Sequence, residues 1–563
     1  MPDFEKLWQT NYPDHLKRSL DYPDIPVHEL LERAAKNYPD TIATIFMGGK
    51  LTFSQLLEKS YRLAAALHDL GVKKGDRVAI MLPNCPQAVI AFNAVLKAGA
   101  VAVQFNPLYV EREIEYQLKD SGAKVMIVLD LLYGRISKVR GATALEKVIW
   151  TSVKDFLPFP LNKLYPIKAK KQGQLVHIPP SPNDLQFVDL LAKYEPKPPS
   201  YEFKPSEDLC CLQYTGGTTG VSKGCMLTHR NLLVNAWQVS NWMPGLRHGQ
   251  ERVMTALPLF HSYAMTTCMN LGAAIGAGMV LMPRFIVEDV LKAIQKWKPS
   301  LFPGAPTMYI AVINHPDIKK YDLKSIKACL SGAAALPLEV QKTFEAITGG
   351  RLVEGYGLSE ASPVTHCSAI YGLRKPGSIG VPFPNTVSKI MDIETGKKEM
   401  PIGEAGEVVI KGPQVMKGYW NRPDETAVTL RDGWLYTGDI GKMDEDGYTF
   451  IVDRKKEMII AGGYNIYPRE IEEVLFEHPK IQEAAAIGIP DEYRGETVKI
   501  FVVPKPGEQP TAEEIISFCK EKLAKYKVPK FVEFRSELPK SLIGKVLRRV
   551  LVEEEKQKRE AVS

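Results

Sequence analysis

The sequence predicts an α/β protein. A large N-terminal unit of helix-covered sheets carries a small β-rich subdomain, and a small, mobile α+β unit follows it. Three observations predict this. Through the first third of the 563-residue chain, apolar runs of strand length alternate with helical periodicities. Over residues 379 to 451, short strands and glycine turns replace that alternation. Past Arg454 the pattern changes again, to two strands and two capped helices. The expected units are therefore 1–453 and 454–563.

The elements follow in order. Thr52 and Gln55 have the spacing of a capping box and start a helix that runs to Gly71. Arg77-Val78-Ala79-Ile80-Met81-Leu82 reads as a parallel strand buried on both faces. A helix over 86–98 opens on Pro86 and ends at Gly99, and a strand over 100–103 leads into the Asn106-Pro107 turn. A helix over 111–118 is stopped by Gly122, and a strand covers 125–129. This βαβ rhythm continues to about residue 380 and implies a parallel sheet. Residues 155–205 interrupt it. They are dense in Pro and Lys, with Lys168-Ala169-Lys170-Lys171 at the centre, and read as a surface excursion or, more sharply, as a basic membrane-facing patch. In the last unit Pro468 opens a helix, two strands surround residues 488–495, and Thr511 caps another helix three residues ahead of Glu514. The chain has no internal repeat and no low-complexity segment.

Composition narrows the function. The chain is 45% hydrophobic and 24% charged, an ordinary globular balance. Its 72 basic and 65 acidic residues leave a net charge of +7, which suits phosphate-rich ligands or an anionic surface and argues against a nucleic-acid-binding tail. The eight cysteines show no CxxC pair, so they read as reduced, buried residues of a cytoplasmic protein. The first residues lack the basic and apolar regions of a signal peptide. The stretch 269–282 is too short and too glycine-rich to span a bilayer.

The strongest chemical signal is Tyr214-Thr215-Gly216-Gly217-Thr218-Thr219-Gly220-Val221-Ser222-Lys223-Gly224, entered from an apolar strand over 209–212. Glycines let backbone N–H groups turn toward an anion, hydroxyls add donors, and lysine adds charge. This is a polyphosphate loop, and the absence of a closing Gly-Lys-Ser/Thr separates it from the Walker pattern.

The loop resembles the signature of the adenylate-forming superfamily of acyl-CoA synthetases, peptide-synthetase adenylation domains and firefly-type luciferases. The resemblance extends over nearly the whole chain in the family's order. Leu257-Pro258-Leu259-Phe260-His261-Ser262 resembles the motif whose histidine lies beside the carboxylate substrate. Gly355-Tyr356-Gly357-Leu358-Ser359-Glu360 resembles the adenine and magnesium motif, and Trp434-Leu435-Tyr436-Thr437-Gly438-Asp439 the ribose motif. Asp453-Arg454-Lys455-Lys456 resembles the interdomain hinge, with Lys456 at the pivot. Leu538-Pro539-Lys540-Ser541-Leu542-Ile543-Gly544-Lys545 resembles the segment bearing the catalytic lysine.

What the resemblance implies also makes chemical sense. Joining a carboxylate to the α-phosphate of ATP brings two anions together, so positioning and electrostatics dominate. Lys545 supplies a positive charge between them. Glu360 offers magnesium a hard oxygen, with Thr218 beside it. Tyr356 and Gly357 present a flat face to adenine, Asp439 accepts from ribose hydroxyls, Arg454 meets phosphate or ribose, and Ser359 donates to the α-phosphate. The expected site thus comprises catalytic Lys545, Glu360 and His261, and an ATP site that includes Thr215, Gly216, Gly217, Thr218, Thr219, Gly220 and Lys223.

Three features point to a fatty-acid–CoA ligase. The stretch from Asp432-Gly433-Trp434 to Arg454-Lys455-Lys456 resembles the signature of fatty acyl-CoA synthetases. Ala461-Gly462-Gly463-Tyr464-Asn465-Ile466 resembles the motif that lines the pantetheine tunnel, which makes Gly462, Gly463 and Tyr464 the CoA-binding residues. Ser331-Gly332-Ala333-Ala334-Ala335 is small and apolar where the family shapes its acyl pocket, leaving room for a chain whose burial is worth about 0.8 kcal/mol per CH₂. Gly332, Ala333, Ala334 and His261 are the expected acyl contacts. Ser222 and Cys225 depart from the family's usual residues, and no tryptophan follows His261 to gate an acyl tunnel. The expected substrates are a long-chain fatty acid, ATP with Mg²⁺, and CoA, with no nucleic acid. Peripheral contact at the inner membrane face and a homodimer are both compatible with this reading. A medium-chain synthetase, an enzyme that loads a carrier protein, and a non-catalytic lipid-binding relative are the alternatives. The last should have lost Glu360 or Lys545, and the chain keeps both.

Overall fold

The computed structural model describes residues 4–10, 12–173, 175–215, 222–243, 245–461, 464–491, 494–541 and 544–560. The architecture is mixed α/β, as the sequence predicts. In the first sheet the strands run in the order Asp184–Gln186, Lys147–Thr151, Val125–Leu129, Arg77–Met81, Val101–Gln104, Leu209–Thr215 and Lys223–Thr228. Val78 to Met81 are buried with parallel partners on both sides, which accounts for an apolar run without alternation. Local signals also act as read. Gln55 N donates to Thr52 Oγ1 at 3.2 Å and Thr52 N to Gln55 Oε1 at 3.0 Å, opening the Phe53–Asp69 helix. Gly122 takes the left-handed conformation, φ +63°, at the end of the Glu111–Ser121 helix.

The βαβ rhythm does not extend unbroken to residue 380. Lys223–Thr228 returns antiparallel to Leu209–Thr215, because residues 216–222 are too few for a crossover. A second sheet holds Arg252–Thr255, Gly278–Leu281, Ile42–Phe46 and Gly49–Thr52, and isolated bridges through Leu301 tie it to Ala328–Ser331 and Arg351–Gly357. One large apolar core fills the space around and between these sheets, and a second lies on the other face of the first. The eight cysteines are free and buried in the cores. Val387–Met391, Gly406–Lys411, Trp434–Met443, Leu430–Arg431 and Thr449–Arg454 form the small β-rich sheet.

Residues 155–205 contain more structure than their composition suggests. Leu161–Lys171 is helical despite Pro166, and Phe187–Lys193 is a second helix. The sequence does not mark the first because Pro166 interrupts it and Lys168 and Lys171 fall on the same side as Leu161, Leu164 and Ile167, which blurs the short apolar stripe.

The last sheet runs Tyr464–Ile466, Ile459–Ala461, Gly495–Pro504, Ile481–Asp491, with Phe531–Phe534 also paired to Gly495–Pro504. The Pro468–Phe476 helix opens on its proline, and Thr511 Oγ1 accepts from Glu514 N at 3.2 Å to start Ala512–Lys522. Gly488 is not a turn residue, contrary to the expected strand ends. It sits inside Ile481–Asp491 opposite Val498, where a Cβ would lie 3.1 Å from both Glu496 Oε1 and Ile459 Cγ2.

Candidate active site

Several strand C-terminal ends converge on one cleft of about 1470 Å³, the position favoured for ligands in open α/β sheets. Residues 454–458 and 545–549 of the small unit close its other side. Thr215 and Lys223 end paired strands at the edge of the cleft. Gly216, Gly217, Thr218, Thr219 and Gly220 lie outside the described residues, as do Gly462 and Gly463. Lys223 forms an ion pair with Glu425 and stands 5.3 Å over the Tyr419 ring.

Asp439 and Arg454 face each other across the antiparallel pair Trp434–Met443 and Thr449–Arg454. Asp439 is 4% exposed, and Arg454 Nε lies 3.1 Å from its Oδ1 while the Tyr356 hydroxyl donates to its Oδ2 at 2.5 Å. The carboxylate is thus fixed from two sides, with one lone pair left on each oxygen. Burial, and then the Asp439 charge, push the Tyr356 phenol well above its ordinary value, so it remains a donor. Asp439 raises the guanidinium of Arg454 further.

Ser359, Glu360 and Ala361 form a single turn after Arg351–Gly357. The Tyr419 hydroxyl donates to Glu360 Oε1 at 2.8 Å, and Met416 N donates to the Glu360 carbonyl at 2.7 Å. The hydroxyls of Ser359 and Ser262 are 3.1 Å apart, joining this turn to the histidine motif. Gly357 lines the cleft beside them. His261 N-caps the short Ser262–Ala264 helix through Nδ1. Burial, and then the nearby Lys545 charge, lower its pKa to about 4, so the imidazole is neutral.

Lys545 reaches the cleft from the loop before the Arg548–Glu560 helix. Its pKa falls to about 8, first through burial and then through Arg454, against the pull of Asp439 and Glu457. Arg548 anchors this loop by binding Glu457 and, at 2.5 Å, Glu472. Burial lowers Lys456 as well, with Arg454 next in effect. No ion pair engages Lys456, Lys545 or Arg549 among the described residues, so the cleft holds surplus positive charge suited to a polyanion.

Gly332 and Ala333 line the other end of the cleft, and a Cβ on Gly332 would stand 3.0 Å from the Tyr263 ring. Ala334 is exposed and does not line it. Tyr464 contributes backbone to a strand pair with Ile459–Ala461. The sequence does not mark Tyr419, Glu407 (which holds Lys455 at 3.0 Å) and Arg548, which line the cleft, nor Glu425, which pairs with Lys223, nor Glu354, which is buried next to Gly355 without lining it. Glu354 is held up to about 7 by burial, opposed by Arg469 of the small unit. Each acts through a partner distant in sequence, and no local spacing marks it.

The AMP-binding enzyme family model matches residues 31–420, and the model of the AMP-binding enzyme C-terminal domain matches residues 470–545. A long-chain-fatty-acid–CoA ligase of Bacillus subtilis is 52% identical over 554 residues, which cover 98% of each chain. The fold superposes on ATP-bound MatB from Rhodopseudomonas palustris with a TM-score of 0.83 at 28% identity, covering 94% of this chain and 99% of that one. Against apo MatB, with the same coverage and identity, the TM-score is 0.73.

Proposed function

The chain belongs to the AMP-binding enzyme family, and on that premise we propose that it is an AMP-forming long-chain fatty-acid–CoA ligase. In the first half-reaction a carboxylate oxygen of the fatty acid attacks the α-phosphorus of ATP, and the bond to pyrophosphate breaks. In the second, the CoA thiol sulfur attacks the acyl carbon, the bond to AMP breaks, and the thiol proton is lost.

The observation that carries this reading is Lys545, half-buried beside Arg454 and His261 and engaged in no ion pair among the described residues. Its ammonium offsets the repulsion between carboxylate and phosphate and the charge that grows on the phosphoryl oxygens. Asp439 binds the ribose hydroxyls through its remaining lone pairs, Tyr356 and Gly357 hold adenine, and Arg454 reaches phosphate or ribose. Ser359, steadied by Ser262, donates to the α-phosphate. Thr215 and Lys223 flank the phosphate loop. Neutral His261 borders the carboxylate, with Gly332 and Ala333 along the acyl chain.

Glu360 fits a magnesium ion. Tyr419 occupies one side of Oε1, leaving Oε2 to bind, and a magnesium shared with phosphates needs only one or two carboxylates. Among the described residues no three His, Cys, Asp or Glu side chains gather into a metal cage, in keeping with a shared ion. Such an ion would neutralise triphosphate charge, with Thr218 as its second protein ligand.

Units 1–453 and 454–563 turn about Lys456 between half-reactions, since Lys545 and the pantetheine motif at Gly462, Gly463 and Tyr464 share the small unit. The arrangement described here serves adenylation, and its better match to ATP-bound than to apo MatB supports that. No helix is long and apolar enough to cross a membrane among the described residues. The cytoplasm is the proposed compartment, and peripheral contact at the inner face of the membrane is compatible with it. Purified protein given ATP, Mg²⁺ and palmitate should release pyrophosphate, and acyl-CoA and AMP should accumulate only when CoA is added. Release of ADP and phosphate instead would overturn the mechanism.

A further inference from the structure

We propose that the outward face of the Leu161–Lys171 helix, together with Phe159 and Met47, docks the enzyme on an anionic lipid surface. The proposal deepens the fatty-acid reading, because that substrate partitions into bilayers.

The helix has inverted polarity. Of its eleven residues only Ala169 is buried, while Leu161, Leu164 and Ile167 are 44%, 52% and 57% exposed. These three recur at spacing i, i+3, i+6, so they share one outward arc, and Lys168 and Lys171 fall on the same side. Phe159, 81% exposed, stands one residue before the Pro160 that opens the helix. The turn carrying Met47 (53% exposed) packs against Phe156 and Pro158 through Gly48 and Gly49, which extends the patch. Such a cluster does not serve the core: a helix this short is marginal in water and gains nothing from apolar groups turned to solvent.

Charge identifies the occupant. Residues 156–183 contain four lysines and no Asp or Glu. Lys163, Lys168, Lys170 and Lys171 are exposed, and none forms an ion pair among the described residues. A second copy laid face to face would oppose lysine to lysine. A bilayer carrying anionic headgroups would pair with the ammonium groups, while Leu161, Leu164, Ile167 and Phe159 enter the acyl boundary beside the lysine stems. The helix would then lie in the interface, where a fatty acid is taken up and a soluble thioester leaves.

Full-length protein should be sedimented with phosphatidylcholine vesicles, with and without about 30 mol% phosphatidylglycerol. Wild type should pellet with the anionic vesicles at low salt, weakly with the neutral ones, and be released by high salt. Leu161→Ser/Leu164→Ser/Ile167→Ser and Lys168→Ala/Lys170→Ala/Lys171→Ala should each lower partitioning by about tenfold or more. Both should keep the wild-type melting temperature and its rate on a water-soluble short acid. Absence of wild-type binding, or equal binding by wild type and both variants, would overturn the proposal. So would a dimer in sedimentation velocity that the serine variant dissolves. Vesicle binding by a protein that activates no fatty acid would instead sink the substrate reading and leave this one standing.

Discussion

Gly544 lies against Thr307, so the loop of Lys545 rests directly on the Pro306–Ile313 helix of the large unit. Gly544 has φ +76°, and a Cβ added there would stand 2.3 Å from Thr307 Oγ1 and 2.9 Å from Cγ2. Gly544→Ala therefore strains the backbone and pushes the small unit out of the adenylation arrangement. Pyrophosphate release should fall on the order of ten- to a hundredfold, the strain and the clash each contributing a kilocalorie or so. Conversion of supplied acyl-AMP and CoA should be spared. Adding Thr307→Gly should recover part of the loss. An unchanged adenylation rate would show that this contact does not hold the arrangement.

On the proposed mechanism Lys545 should set the pH dependence. Burial and Arg454 depress its pKa to about 8, and adenylation needs the charged form. The ammonium is complete well below that value and is lost as pH rises through it. The kcat/KM for ATP, which reports the free enzyme, should fall with unit slope above about pH 8, and the limb in kcat should lie higher because bound phosphates favour the ammonium. Lys545→Arg should remove this limb at whatever activity it keeps, since guanidinium does not titrate there. A wild-type kcat/KM flat to pH 10 would refute the assignment.

What the sequence made legible was short-range. The Thr52–Gln55 box, Pro86, Gly122 and Thr511 act within one helical turn, and the strand over 77–82 owes its apolar run to neighbours of the same kind on both sides. Family motifs pointed to Arg454, Glu360 and Lys545, which line one cleft, and to Asp439, buried behind Arg454 and Tyr356, because motif order encodes what spacing alone does not. The supports of these residues stayed hidden. Tyr419 meets Glu360 across 59 positions, and Lys223 finds Glu425 through a fold that no local pattern prescribes. Gly488 looked like a turn because a close approach of side chains and a turn both call for a missing Cβ.

Tyr419 lines the cleft and holds Glu360 by a hydrogen bond, and on the proposed reading it acts through that carboxylate. Tyr419→Phe keeps the ring beneath Lys223 and deletes the 2.8 Å hydrogen bond to the carboxylate. One such bond is worth about 0.5–1.5 kcal/mol, so the Mg²⁺ concentration for half-maximal rate should rise roughly two- to tenfold, with kcat at saturating Mg²⁺ largely preserved. Glu360→Gln should lose orders of magnitude at any Mg²⁺ level the fold tolerates, because it removes the anionic ligand itself. Wild-type Mg²⁺ dependence in the phenylalanine variant would remove Tyr419 from this role.

The two half-reactions should separate at Lys456 and Lys545. The chain leaves the large unit at Arg454, whose carbonyl accepts from Glu457 N at 2.9 Å and Met458 N at 3.1 Å, while Lys455 N donates to Gly438 O at 2.9 Å. The N–H of Lys456 makes no backbone hydrogen bond among these, so proline there deletes none of them and its cost to this arrangement is limited to strain at Lys455 within the turn. It does restrict φ at 456 and the conformation of Lys455, where a turn of the whole small unit must be absorbed. Lys456→Pro should therefore keep acyl-AMP formation within a few-fold of wild type and slow thioester formation by on the order of a hundredfold, since the turned arrangement is made rare. Lys545→Ala should do the reverse, because its ammonium meets the reacting groups only in adenylation. Both rates are measurable on purified protein, one by pyrophosphate release and the other from supplied acyl-AMP and CoA. Equal loss of both half-reactions in each variant, with unchanged melting, would mean that one arrangement serves both steps and that Lys456 is a surface lysine.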